Sequence, residues 1–195
     1  TRHSRDTSLF YRQDSDFYYL TGSMEKDLLL LLRSGASQPE LIARKPSAAR
    51  ILWEGRASDL PQLARDIQAE LVLCTDPEKE VLNRLKGVEQ LYFQNTDRSS
   101  AWLLAEKLIA TPSYARGGLP RSFLHSDCLL ERMRLFKDAS EIQAIRKALD
   151  VTAEALFHCM PLIKAGLSER EIAASIDSVF ALNMCTPAFP TIVAG

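Results

Sequence analysis

Four consecutive apolar or aromatic residues, Phe17 to Leu20, follow the polar stretch Arg12 to Asp16 and precede Gly22, a pattern that predicts loop, short buried strand and turn. A second apolar run, Leu28 to Leu32, follows within hairpin distance, and Glu40 to Arg44 is expected as a third strand. Ile51-Leu52-Trp53-Glu54-Gly55-Arg56 leads from another apolar run into a helix near Leu60 to Ile67, with Pro61 suited to its first turn. Leu71 to Cys74 predicts a strand. Thr75-Asp76-Pro77-Glu78 then reads as cap, proline in the first turn and early acid, opening a helix that turns Val81, Leu82 and Leu85 inward and ends at Gly87. Val88 to Phe93 is the next strand, and Ser99 or Ser100 starts a helix with Trp102, Leu103, Leu108 and Ile109 toward a core. Strands alternating with helices predict a mixed α/β domain.

The segment Thr111 to Ser122, with Pro112, Gly117, Gly118 and Pro120, is the most linker-like in the chain. Beyond Asp127 the pattern is helical for about sixty residues, which places a domain boundary there and divides the chain into residues 1–126 and 127–195. Asp138 and Glu141 stand in the Asp-x-x-Glu arrangement of a capping box, after which Ile142, Ile145, Leu149, Thr152, Ala153, Leu156 and Met160 trace one helical face. Gly166 closes that segment. Ser168 with Glu171 forms a second capping box, Leu167 with Ile172 has the spacing of a hydrophobic staple, and Ile172, Ile176, Val179 and Phe180 form the buried face of the helix that follows. Asn183 to Pro187 breaks it, and Phe189 to Val193 reads as the start of a strand.

With 195 residues, 46% of them hydrophobic, the chain can bury a real core. Lys and Arg number 24 against 25 Asp and Glu, with no long basic run, so composition offers no support for nucleic-acid or membrane partners. No apolar run approaches the ~20 residues of a membrane span, no signal-peptide pattern follows Thr1, and Thr rather than Met at that position reads as a trimmed chain. Cys74, Cys128, Cys159 and Cys185 form no CxxC pair and are expected as reduced thiols in a cytoplasmic protein. His3, His125 and His158 lie near a terminus, near a helix start and inside a helix, so each is expected to be structural or exposed rather than a metal ligand.

The stretch Tyr11 to Gly22, Tyr-Arg-Gln-Asp-Ser-Asp-Phe-Tyr-Tyr-Leu-Thr-Gly, resembles the opening of the aminopeptidase P branch of the creatinase/prolidase family. N-terminal domains of that branch carry Tyr-Arg-Gln-x-Ser-Asp-Phe-x-Tyr-x-Thr-Gly, matched here by Tyr11, Arg12, Gln13, Ser15, Asp16, Phe17 and Gly22, among others. Farther on, Arg134-Leu135-Phe136-Lys137-x-x-x-Glu141-Ile142-x-x-x-Arg146-x-Ala148 looks like the entry into that family's catalytic pita-bread domain, and Pro187-x-x-Pro-Thr-Ile-Val-Ala-Gly195 resembles its first core strand. Read by spacing alone, Arg134, Lys137, Glu141 and Arg146 are a solvated helix entry with dipole and i,i+4 partners. The resemblance implies an α/β fold: a mixed-sheet creatinase/prolidase-type N-terminal domain, followed by the truncated start of a pita-bread α+β catalytic domain.

It further implies a fragment of a metal-dependent Xaa-Pro aminopeptidase, which removes the N-terminal residue preceding proline from peptides. Family members hold two metal ions, usually manganese, by two Asp, one His and two Glu, and the ions activate a bridging water. The family pattern places these ligands, and an assisting histidine, downstream of the Thr-Ile-Val-Ala-Gly strand. No catalytic residue or metal ligand is therefore assigned in this chain, no metal is expected bound to it, and the chain alone is expected to be inactive. A homo-dimer or homo-tetramer acting on proline-containing peptides is implied. Trp53 alone reads as a core tryptophan with its indole nitrogen satisfied nearby. The resemblance implies instead that it lines a substrate pocket in a neighbouring subunit, because relatives carry a Trp in this segment and their N-terminal domains reach toward a neighbour's active site.

Two departures from the family stand out. Relatives have a helix and a strand before the Tyr11 motif, where this chain has ten residues, so the first domain is expected to lack both. Phe189 occupies the position of a tyrosine whose hydroxyl, in many relatives, approaches the metal-binding carboxylates, so that polar contact would be missing here. Two other functions remain open on sequence grounds: a non-catalytic peptidase-like binding or oligomerisation module, and a prolidase or creatinase-type hydrolase of the same fold.

Overall fold

The computed structural model describes residues 11–47, 51–52, 59–94, 100–110 and 120–194. Its first element is a helix where Phe17 to Leu20 predicts a strand. α1 (Ser15–Thr21) starts at Asp14, whose Oδ1 accepts from the backbone N–H of Asp16 at 3.0 Å and of Phe17 at 2.9 Å. It stops at Gly22, left-handed at φ 65°, whose N–H donates to the Tyr18 carbonyl at 2.7 Å. A short apolar run suits a strand or a helical turn equally, and here the cap at each end decides for the helix. The expected hairpin forms one element later. β1 (Leu28–Leu31) pairs antiparallel with β2 (Glu40–Arg44), with Leu28 opposite Ala43 and Leu31 opposite Glu40.

β2 also pairs in parallel with β3 (Glu70–Cys74), reached through α2 (Leu60–Asp66), so a mixed three-stranded sheet has the order β1-β2-β3. Asp59 caps α2 by accepting from the Gln62 N–H, and Pro61 sits in its first turn. α3 (Pro77–Arg84) is capped by Asp76 in the same way, again with proline in the first turn. β4 (Gln90–Phe93) follows, then α4 (Ser100–Ile109) and β5 (Ser122–His125), which pairs in parallel with β4 to give a second, two-stranded sheet. β5 was not expected, because it begins at Ser122, where the linker-like stretch ends, and only pairing with β4 makes its four residues a strand.

One apolar cluster joins these elements. Ile42 of β2, Val81 and Leu85 of and after α3, and Leu104 and Leu108 of α4 are buried together, with Leu29, Leu31, Val72, Leu91 and Phe123 packed against them. Leu41 and Ile42 point to opposite faces of the sheet and both are fully buried, so β2 is covered on both sides. The mixed α/β architecture expected from the alternating pattern is present.

The chain divides into two compact units, Thr1–Glu131 and Arg132–Gly195, within the helix α5 (Asp127–Leu135). In the second unit both capping boxes form. Asp138 opens α6 (Ala139–Cys159) by accepting from the Glu141 N–H at 2.9 Å while the Glu141 carboxylate accepts from the Asp138 N–H at 2.8 Å. Ser168 and Glu171 do the same for α7 (Glu169–Leu182). α6 and α7 pack on each other through Val151, Ala155 and Cys159 on one side and Val179 on the other. The row traced from Ile142 to Met160 lies on a different face of α6. Ile142, Ile145, Leu149, Leu156 and Met160 are exposed, while smaller residues make the helix contact. Phe189 to Val193 has no strand pairing among the described residues, and Phe189 and Ile192 are exposed, because no neighbouring strand is there to fix an extended run as part of a sheet. Trp53 and residues 111–119 of the linker-like stretch lie outside the described residues.

Candidate functional site

The motif from Tyr11 to Gly22 is the part of the chain in which most sequence-predicted residues meet. Gln13 is its hub. The Gln13 Oε1 accepts from the Tyr11 hydroxyl at 2.8 Å and from the Asp14 N–H at 2.9 Å, while its Nε2 donates to the Glu25 carbonyl at 2.8 Å. Asp14 then caps α1, and Phe17 lends its carbonyl to the Thr21 hydroxyl at 2.7 Å. Two further turns continue the path, from the Ser23 N–H to Thr21 Oγ1 and from the Glu25 N–H to Ser23 Oγ, each at 3.1 Å. The segment is thus a closed loop in which the side chains of Gln13, Asp14, Thr21 and Ser23 each bond the backbone of another residue.

Asp16 is the buried charge of the motif, with its carboxylate 3.5 Å from the Gln94 amide just after β4. Arg12 and Ser15 are exposed. Lys26 Nζ lies 5.2 Å from the centre of the Tyr11 ring, a cation–π contact. Partial burial, then the nearby carboxylates of Asp27 and Asp14, push the Tyr11 phenol above its ordinary value. None of these contacts pairs a nucleophile with a base, so the arrangement positions backbone rather than performing bond chemistry.

A second charged cluster holds the sheet. Glu40, 8% exposed at the start of β2, accepts from Arg33 at 3.1 Å and from Arg84 Nε at 2.8 Å, and Arg84 also reaches Glu80 one turn back on α3. The hydrogen bond to Glu80, opposed by burial and helped by the Glu40 charge, raises the Arg84 guanidinium above its usual value. Sequence reading missed this pair, since Glu40 and Arg84 are far apart in the chain and only the fold joins them. It also missed Asp14, although an Asp placed to cap the turn that follows is a signal available in sequence.

The histidines are dispersed. His125 ends β5 with Nδ1 3.1 Å from the Asp127 carboxylate, His158 is exposed on α6, and His3 lies outside the described residues. Among the described residues no group of three or more His, Cys, Asp or Glu side chains is placed to hold a metal ion, so they do not fit a two-manganese centre. No helix among them is long and apolar enough to cross a membrane. Phe189 is 68% exposed in the second unit. That unit also has a cavity of about 300 Å³ between the end of α6 and the start of α7, bounded by Cys159, Leu162, Leu167, Ile172 and Ser175 among others.

Comparison with known proteins places this geometry. Residues 1–92 match the family described as aminopeptidase P, N-terminal domain. The Xaa-Pro aminopeptidase of Escherichia coli is 24% identical over 97% of this chain and 45% of its own length. A solved structure of aminopeptidase P from E. coli superposes with a TM-score of 0.73 at 24% identity, over 93% of this chain and 43% of that one. The structure of Pseudomonas aeruginosa aminopeptidase PepP gives 0.76 at 27% identity, over 92% and 42%. The chain therefore spans less than half the length of the relatives it resembles.

Proposed function

We propose, from the premise that the chain belongs to the aminopeptidase P family through its N-terminal domain, that it serves as the N-terminal domain and following helices of a metal-dependent Xaa-Pro aminopeptidase. The match of residues 1–92 to that domain carries the reading. The substrates are peptides with proline in second position, from which the residue before proline is released. The pair of manganese ions supplies an activated water when bound. The described residues assemble no donor set for such a pair, so the proposal assigns the ligands to polypeptide other than residues 1–195, and no step is routed through this chain's side chains.

What this chain contributes, on the same proposal, is shape and assembly in a cytoplasmic homo-dimer or homo-tetramer. Trp53 supplies a flat aromatic wall for the apolar end of a peptide in a neighbouring subunit's pocket. Phe189 leaves out the hydroxyl that a tyrosine would offer near the metal-binding carboxylates. The coding sequence around the stretch for residues 1–195 tests the reading. A continuous reading frame that supplies two Asp, one His and two Glu in the family's order supports it, and a frame without them returns the chain to a non-catalytic binding module.

A further inference from the structure

The cavity of about 300 Å³ where α6 gives way to α7 has a lining of mixed but definite chemistry. Cys159 is buried there, and its thiol donates to the Leu156 carbonyl at 3.4 Å within its own helix, so the sulfur offers the cavity a small apolar surface. Leu162, Leu167 and Ile172 extend that surface.

Three polar groups on the same lining are under-used. Lys164 is exposed, and its ammonium has no ion pair among the described residues. Glu171 engages one carboxylate oxygen only. Its Oε2 accepts from the Ser168 N–H at 2.9 Å and from the Ser168 hydroxyl at 2.7 Å, while Oε1 accepts from none of the described residues. Ser175, one turn further along α7, has its Oγ shielded from solvent and without a hydrogen-bond partner, an orphan that a polar guest would satisfy. Lys164 and Glu171 form no ion pair with each other, so each charge is available to a guest.

This set of groups selects the guest. A molecule with a carboxylate alone sets like charge against Glu171, and one with an ammonium alone does the same at Lys164. A zwitterion with an apolar side chain matches both charges and the apolar lining. Pockets for drug-sized ligands run from about 300 to 1,000 Å³, so a cavity at the lower limit suits a guest of amino-acid size. We infer that this cavity binds a free apolar amino acid such as leucine, with its carboxylate on Lys164, its ammonium on Glu171 and its side chain against Leu162, Leu167 and Ile172. The residue released before proline in the proposed reaction belongs to this class, but the binding inference rests on the cavity and stands or falls without that reading.

Amide chemical shifts of the 195-residue chain, followed by heteronuclear NMR, test it with L-leucine as the probe. Leucine is expected to shift amides between Cys159 and Ser175 with a Kd of about 1 mM. Lys164→Gln and Glu171→Gln are each expected to weaken binding about tenfold, the loss of one charge-assisted contact. Both positions are exposed, and glutamine in place of Glu171 keeps the acceptor that the capping box needs, so the variants retain the fold. Isocaproate, which lacks the ammonium, isoamylamine, which lacks the carboxylate, and glycine, which lacks the apolar body, are each expected to bind about tenfold more weakly than leucine. No shift in this segment at about ten times the expected Kd overturns the inference. So does unchanged affinity in both variants, or binding of any of the three analogues as tight as that of leucine.

Discussion

Gln13 Nε2 donates to the backbone carbonyl of Glu25 at 2.8 Å, so one side chain ties the entry of α1 to the turn that leaves it. With Gln13 Oε1 also accepting from Tyr11 and from the Asp14 N–H, three contacts depend on this amide. Gln13→Ala is expected to destabilise the first unit by about 1–2 kcal/mol, the net loss of partly buried hydrogen bonds. Urea denaturation followed by tyrosine fluorescence measures it, and an unchanged midpoint contradicts the role given to Gln13.

Arg84→Ala is expected to cost more, about 3 kcal/mol, because it strips the nearly buried Glu40 of one of its two cationic partners. Replacing both members, Glu40→Leu with Arg84→Met, is expected to cost less than the single change, since no carboxylate then remains in the apolar site. Denaturant midpoints of the two variants decide it, and a double variant less stable than Arg84→Ala contradicts the account.

The two apolar faces of α6 predict opposite responses. Ala155, fully buried against α7, has no room for a larger side chain, and Ala155→Leu is expected to destabilise the helix pair by about 1–3 kcal/mol. Leu149 is 61% exposed in the row with Ile142, Ile145 and Leu156. Leu149→Lys is expected to leave stability within about 0.5 kcal/mol and to lower self-association of the chain. Sedimentation velocity across a concentration series checks the second point, and no difference from the unchanged chain contradicts it.

Acid is expected to fray α6 and α7 from their starts. Backbone N–H donation, first from Glu141 to Asp138 and from Ser168 to Glu171, holds both carboxylates below the ordinary range. A depressed folded pKa means that the cap's contribution is present above the unfolded value and is lost as pH falls through the folded one. Helical circular dichroism is therefore expected to decline below the ordinary carboxylate range, and to decline less in an Asp138→Ala, Glu171→Ala variant, which starts from a lower signal. Equal acid losses in both proteins contradict this.

The helix ends were legible in sequence because each is written in neighbouring residues: Asp76 with Pro77, Asp138 with Glu141, Ser168 with Glu171. The nature of the Phe17 to Leu20 run was not, since four apolar residues do not reveal a period and Asp14 was passed over as a cap. β5 and the buried face of α6 were missed for a related reason. A four-residue strand exists by pairing with β4, and Val151, Ala155 and Cys159 are chosen by α7 over larger apolar residues nearby. The motif from Tyr11 to Gly22 was readable as a pattern of residue types, but its work, closing a loop through Gln13, required the fold.

The central proposal is that this chain serves as the N-terminal part of a manganese-dependent Xaa-Pro aminopeptidase whose metal ligands lie on polypeptide other than residues 1–195. The most direct measurement is release of the first residue from an Xaa-Pro tripeptide with manganese, with and without a chelator, for the 195-residue chain and for the longest polypeptide encoded by its gene. The account predicts chelator-sensitive release by a longer polypeptide and none by the chain alone. Chelator-sensitive turnover by the 195-residue chain itself, or no turnover by either, would contradict it.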